Sequence, residues 1–283
     1  MDLVHLIVLV LLVALMFGAG LKTDRHDVVK VLKNGSLIAR ALLANVVLVP
    51  VYGVVLVQLF HLNAFVATGI LLMAIAPGVP FVVQSGAGKD AGSLSLAETL
   101  AVLLPTIAVV TVPISAFIVM PLESQAPIHL GPTLVTLVLF QLLPMAIGAY
   151  VHERDQALAD RLERPVQIVF LLAAVTLLIL IGPSIGKAIG VIYGSNGIEA
   201  AIIMAVVSMA TGWYLGGPER DFRHTLAVGT TLRNVGVALA VAKENYSDQG
   251  VEAAVICYLV VQFVIVQIFH TVMVQRRRRS ATT

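Results

Sequence analysis

Four short segments place polar groups where their neighbours are almost wholly apolar, and they are where chemistry is to be sought. The first is Gly229-Thr230-Thr231-Leu232-Arg233-Asn234-Val235-Gly236. Thr230 and Thr231 precede Asn234 by four and three residues, so a helix would carry all three on one face, and Arg233 adds a fixed positive charge. The second is Leu94-Ser95-Leu96-Ala97-Glu98-Thr99, whose Ser95, Glu98 and Thr99 form a single polar stripe by the same spacing. The third, Pro77-Gly78-Val79-Pro80, removes two backbone donors and cannot continue as a straight helix. Carbonyls freed there could ligate a cation or a substrate, or the segment could be an ordinary kink. The fourth is Asn45, five residues before Pro50, which reads either as a ligand or as glue between helices.

These residue types suit recognition of an ion or an anion rather than bond-making. Arg233 could attract an anionic solute directly or fill the space of a bound cation. Glu98 could pair with Arg233, carry a proton, or face water near a helix start. The seven histidines are scattered and form no ligand pair inside an apolar segment. His152-Glu153 begins like a zinc-protease motif, but Gln156 stands where the second histidine would be. The one cysteine, Cys257, excludes an intramolecular disulfide and any multi-cysteine metal site. Its plainest role is packing.

The elements that hold these groups must be membrane-spanning helices. Hydrophobic residues make up 59% of the 283 and charged ones only 12%, against about a quarter charged in a soluble domain. Mean hydropathy is +0.97. The apolar residues fall in blocks of roughly twenty, the length that crosses about 30 Å of hydrocarbon as a helix. Polar punctuation predicts nine spans at 3–21, 37–60, 64–86, 93–121, 130–151, 165–186, 197–216, 224–243 and 251–274. The fold class is all-α, in one transmembrane domain covering 1–283. The first span has acidic Asp2 ahead of it and no clear cleavage site, so it is expected to be a retained helix and not a signal peptide.

Charge sets the orientation. With the N-terminus outside, fourteen of the eighteen lysines and arginines fall on the cytoplasmic side: Lys22, Arg25, Lys30, Lys33, Lys89, Arg154, Arg161, Arg164, Arg220, Arg223 and Arg276–Arg279. Lys187 and Lys243 fall outside, and Arg40 and Arg233 lie within spans. The terminal arginine run reads as a stop-transfer clamp or as a lipid head-group site. A net charge of +2 says little about partners, and no nucleic acid is expected among them. The partners expected are the lipid bilayer and a small solute, and the expected location is the inner (cell) membrane.

An ionised side chain at the middle of a span costs about 3 kcal/mol, so Arg233 should face a cavity or a partner. Spans 3 and 8 are thus both interrupted, one in each half. Paired interruptions point to an inverted repeat with its site at the midplane, here 1–121 against 130–274. Spans 1–4 would match 6–9, an odd offset that inverts topology between the halves.

The chain resembles the bile acid:sodium symporter family over nearly its whole length. The resemblance rests on Met16-Phe17-Gly18-Ala19-Gly20-Leu21-Lys22-Thr23, on Ala44-Asn45 through Pro50, on Ala76-Pro77-Gly78, on Ser95 and Thr99, and on Arg233-Asn234-Val235-Gly236-Val237-Ala238-Leu239-Ala240. It implies a ten-helix fold lacking the first helix, two crossing broken helices, no cofactor, and a sodium site to which Ser95, Thr99 and Asn45 would contribute. Substrate-binding residues would be Arg233, Asn234, Thr230, Thr231, Pro77 and Gly78. The chain departs from the family where sodium-coupled members carry Ser-Asn after the first Pro-Gly; here stand Phe81, Val82 and Val83. Their glutamate and glutamine of the second crossing helix are Gly229 and Arg233. The Arg-Asn pair is also similar to arsenite efflux carriers, but the cysteine those use is absent. The expectation is secondary transport of a small organic anion by alternating access, with sodium or a proton as coupling ion. A membrane enzyme and a non-transporting receptor or scaffold are the alternatives.

Overall fold

The computed structural model describes residues 3–78, 92–120, 129–193, 196–246 and 249–282. Val79, Pro80, Phe81, Val82, Val83, Lys89 and most of the connection 123–129 lie outside these, as do the side chains of Lys187, Arg278 and Arg279.

The described residues form eleven helices and no strand. They are α1 Leu3–Leu21, α2 Arg25–Leu32, α3 Gly35–Leu59, α4 Ala64–Ile75, α5 Leu94–Val119 and α6 Leu130–Arg154. There follow α7 Gln156–Tyr193, α8 Gly197–Leu215, α9 Arg220–Thr231, α10 Val235–Asn245 and α11 Gln249–Thr282. A backbone in lipid must satisfy its own polar groups, and the helix does so within one segment. Taking α9 and α10 together, eight stretches are long and apolar enough to cross a membrane. The remaining expected span is represented by α4, a twelve-residue apolar helix that ends at Ala76-Pro77-Gly78.

Two boundaries differ from expectation. The polar stretch after span 1 holds a helix of its own, α2, started by Asp24, whose side chain accepts from the His26 N–H at 2.7 Å. The stretch expected as the connection 152–164 is the start of α7, because Gln156-Ala157-Leu158-Ala159-Asp160-Arg161-Leu162-Glu163 is rich in good helix formers.

The helices gather into two groups. α1 packs against α6 and α7, while α3, α4, α8, α9 and α11 pack chiefly among themselves, joined by α5 and α10, which also pack against α1 and α6. Gly20 and Gly148 face each other across α1 and α6, where a Cβ on either would meet the other helix's backbone. Small residues at such a crossing let two backbones approach without side chains between them.

Ion pairs sort the helix ends. Lys22 meets Glu163 at 2.8 Å and Arg25 meets Glu153 at 3.0 Å, while His152 Nδ1 lies 2.7 Å from the Leu21 carbonyl. The end of α1, the end of α6 and the start of α7 therefore share one side. At the other end of α6, the His129 N–H donates to Asn245 Oδ1 at 2.7 Å and Asn245 Nδ2 donates to Thr133 at 3.3 Å. Thr136 donates to Glu244 at 3.3 Å there, and Lys243 pairs with Glu252 at 3.0 Å.

Candidate functional site

α4 stops where it does because Pro77 cannot continue it, and the stop leaves carbonyls of its last turn without helical partners. α9 likewise ends at Thr231, with three non-helical residues before α10 begins at Val235. The two breaks touch: the Asn234 N–H donates to the Ala76 carbonyl at 3.1 Å. Gly78 sits against the same side chain with φ +146°, and a Cβ there would lie 3.2 Å from Asn234 Nδ2. Only glycine takes that backbone conformation without strain. Gly78→Ala is expected to destabilise the protein by about 1–3 kcal/mol; a thermal melt of the purified protein in detergent checks this.

Arg233 lies at this crossing and is 1% exposed. Its Nε donates to the Met73 carbonyl at 3.1 Å, its Nη1 to Asn45 Oδ1 at 3.0 Å, and its Nη2 to the Asn45 carbonyl at 3.1 Å and to the Ala74 carbonyl. Four of the five guanidinium hydrogens are thereby engaged by neutral oxygens. The cation also sits on the C-terminal end of α4, where the helix dipole is negative. That combination offsets the cost of burying the charge. Its own N–H donates to Gln262 Oε1 of α11 at 2.9 Å.

Asn45 can present both oxygens because α3 widens to a π-helical turn over Leu43–Leu48, directly before Pro50. The proline supplies no N–H to the turn behind it, and π-turns of this kind recur at functional sites. Asn45 Nδ2 donates to the Ala41 carbonyl at 3.0 Å and to Thr230 Oγ1 at 3.4 Å. α6 repeats the device: a π-turn at Val138–Leu142 precedes Pro144 and carries Gln141. Gln141 Oε1 accepts from Asn234 Nδ2 at 3.3 Å, and its Nε2 donates to the Pro105 carbonyl of α5 at 2.7 Å. This one side chain ties α6 to the crossing point.

The structure thus brings together Asn45, Pro77, Gly78, Thr230, Arg233 and Asn234. Thr231 instead donates to the Ala227 carbonyl of its own helix at 2.8 Å. Ser95 pairs with Ser93 Oγ at 3.1 Å, and Thr99 donates to the Ser95 carbonyl at 2.7 Å, so both engage locally on α5. The side-chain oxygen of Asn45 accepts from Arg233. Arg233 takes neutral oxygens as its partners, and among the described residues no ion pair joins it to Glu98, which is buried on α5. Gln141 and Gln262 were missed, although each is a lone amide in an apolar helix, the one signal that could have found them.

A cleft of about 410 Å³ opens between the two helix groups at the end that carries Lys22 and Arg25. Its walls are Thr23 to Arg25 with Val28, Val102 of α5, Ala149, His152 and Glu153 of α6, and Gln156 of α7, so acids and bases both face it. The family model described as "Sodium Bile acid symporter family" matches residues 9–194, about two thirds of the chain. The chain belongs to the sodium bile acid symporter family. Members of this family are transporters embedded in the membrane, and this chain is one of its multi-pass proteins. The match ends before α8, so the second broken helix with Arg233 lies beyond it. No curated protein matches the chain.

Proposed function

We propose that this protein is a secondary transporter of a small organic anion, working by alternating access without sodium at the helix crossing. The carrying observation is the guanidinium of Arg233 in a cage of neutral oxygens from Asn45, Met73 and Ala74. Such oxygens would suit a monovalent cation. Here the cation is covalently part of the chain, so it neutralises the end of α4 permanently and needs no ion from solution. The anion is drawn to the remaining positive potential at the crossing, where α10 presents its N-terminus under the Asn234 cap.

Alternating access takes its form from the two helix groups. At the end that carries Lys22 and Arg25 the cleft separates them; at the other end Thr133, Thr136, Glu244 and Asn245 hydrogen-bond across them. Gln141 is the link at mid-depth. Closing the cleft while breaking the far contacts would expose the crossing to the opposite side. The halves 1–121 and 130–274 act as inverted repeats in this scheme, in the inner membrane, with the C-terminus and the cleft cytoplasmic.

Single cysteines at Thr23 and Ala149, in a Cys257→Ser background, are expected to react with a charged thiol reagent from the cytoplasmic side only. Reaction from the outside alone would reverse the orientation. Ordinary sodium symport is the second reading, favoured by the family's description and by the oxygens of Ser95 and Thr99 on α5.

A further inference from the structure

At the far end of α9 from the crossing, a separate pocket of about 140 Å³ lies between α8, α9 and α11. Its walls are Trp213, Arg220, Asp221, His224, Met273 and Arg277. His224 is 1% exposed, yet neither ring nitrogen has a hydrogen-bond partner. Its ring is fixed by stacking on Phe269, with centroids 5.3 Å apart and planes 17° from parallel. A buried donor held in place with nothing to donate to is costly unless a ligand completes it. Arg220 opens α9, and the capping residue Glu219 makes no side-chain bond to the first-turn N–H groups. Asp221 is the one acid on the wall, and it is paired with Arg277 at 3.5 Å. Arg223 stacks on Trp213 beside the pocket, 4.6 Å from the ring centroid, adding a third nearby guanidinium.

We propose that this pocket binds a phosphate group, held by the guanidiniums of Arg220 and Arg277, by the N–H of His224 and by the start of α9. Neutral imidazole donates one N–H, which suffices, and guanidinium forks match phosphate oxygens. The phosphate could be the head group of an anionic phospholipid or free in solution. Basic pockets between spanning helices at the cytoplasmic face take the first kind, and the site stands apart from the transport path, so it does not depend on the substrate reading.

The test uses the full chain in detergent. Phosphatidylglycerol, phosphatidylcholine and inorganic phosphate are each added to the native protein and to Arg220→Gln and His224→Phe. Phenylalanine keeps the stack on Phe269 and removes the donor; should that variant fail to fold, the exposed Arg220→Gln decides. Native mass spectrometry is expected to show phosphatidylglycerol retained over phosphatidylcholine, and retention falling about tenfold in each variant, the ordinary effect of one charge-assisted hydrogen bond. Failure of inorganic phosphate to displace the lipid assigns the site to a head group. Thermal stabilisation by inorganic phosphate alone, lost in the variants, assigns it to free phosphate. Equal retention of both lipids without any phosphate effect overturns the proposal, as does retention unchanged in Arg220→Gln.

Discussion

Arg233→Gln is expected to destabilise the protein by at least about 3 kcal/mol, because the Ala74 carbonyl and both Asn45 oxygens lose their donor together and each unsatisfied buried group costs about 1–3 kcal/mol. Arg233→Lys should rescue little, since an ammonium cannot present a planar fork to oxygens on two helices. The cage left by Arg233→Gln is suited to a free cation. Its melting temperature in detergent is therefore expected to rise with sodium chloride over choline chloride, while the native protein shows no such difference. Adding Glu98→Gln to Arg233→Gln should restore nothing, because the two charges are not partners. Recovery of stability in that double variant would show that they are.

The second large effect concerns the contacts at the end opposite the cleft. Asn245 Nδ2 lies 3.3 Å from Thr133 Oγ1, across the boundary between the two helix groups. Thr133→Cys with Asn245→Cys, in a Cys257→Ser background, should form a disulfide under mild oxidation and hold that end shut. Anion flux is then expected to fall to the background of empty vesicles and to return on reduction. Flux that continues through the cross-linked protein would mean that these groups do not separate during transport.

The breaks in the chain were legible in the sequence because their causes are local. Pro77 and Gly78 stop α4, and the polar run around Arg233 and Asn234 has no reason to stay helical in lipid. Nothing local encoded their meeting, since the partners of Arg233 are main-chain carbonyls freed by the other break. Charge alone offered Glu98 as one partner for Arg233, whereas in the fold neutral oxygens and a helix dipole surround it. Asn45 was legible as a polar intruder, but the π-turn that lets it use both oxygens was not, and Gln141 in the matching turn of α6 was passed over. α2 and the first turns of α7 were hidden for the opposite reason: they are polar helices at the membrane edge, outside an apolar-block pattern.

The identity of the coupling cation is the point on which the mechanism stands or falls. The most direct measurement is uptake of labelled organic anions, a bile acid and a small carboxylate among them, into liposomes containing the native protein. One set is run with an inward sodium gradient and the other with choline in its place. Saturable uptake of the same size in both is the predicted result. Uptake that appears only with the sodium gradient would contradict it.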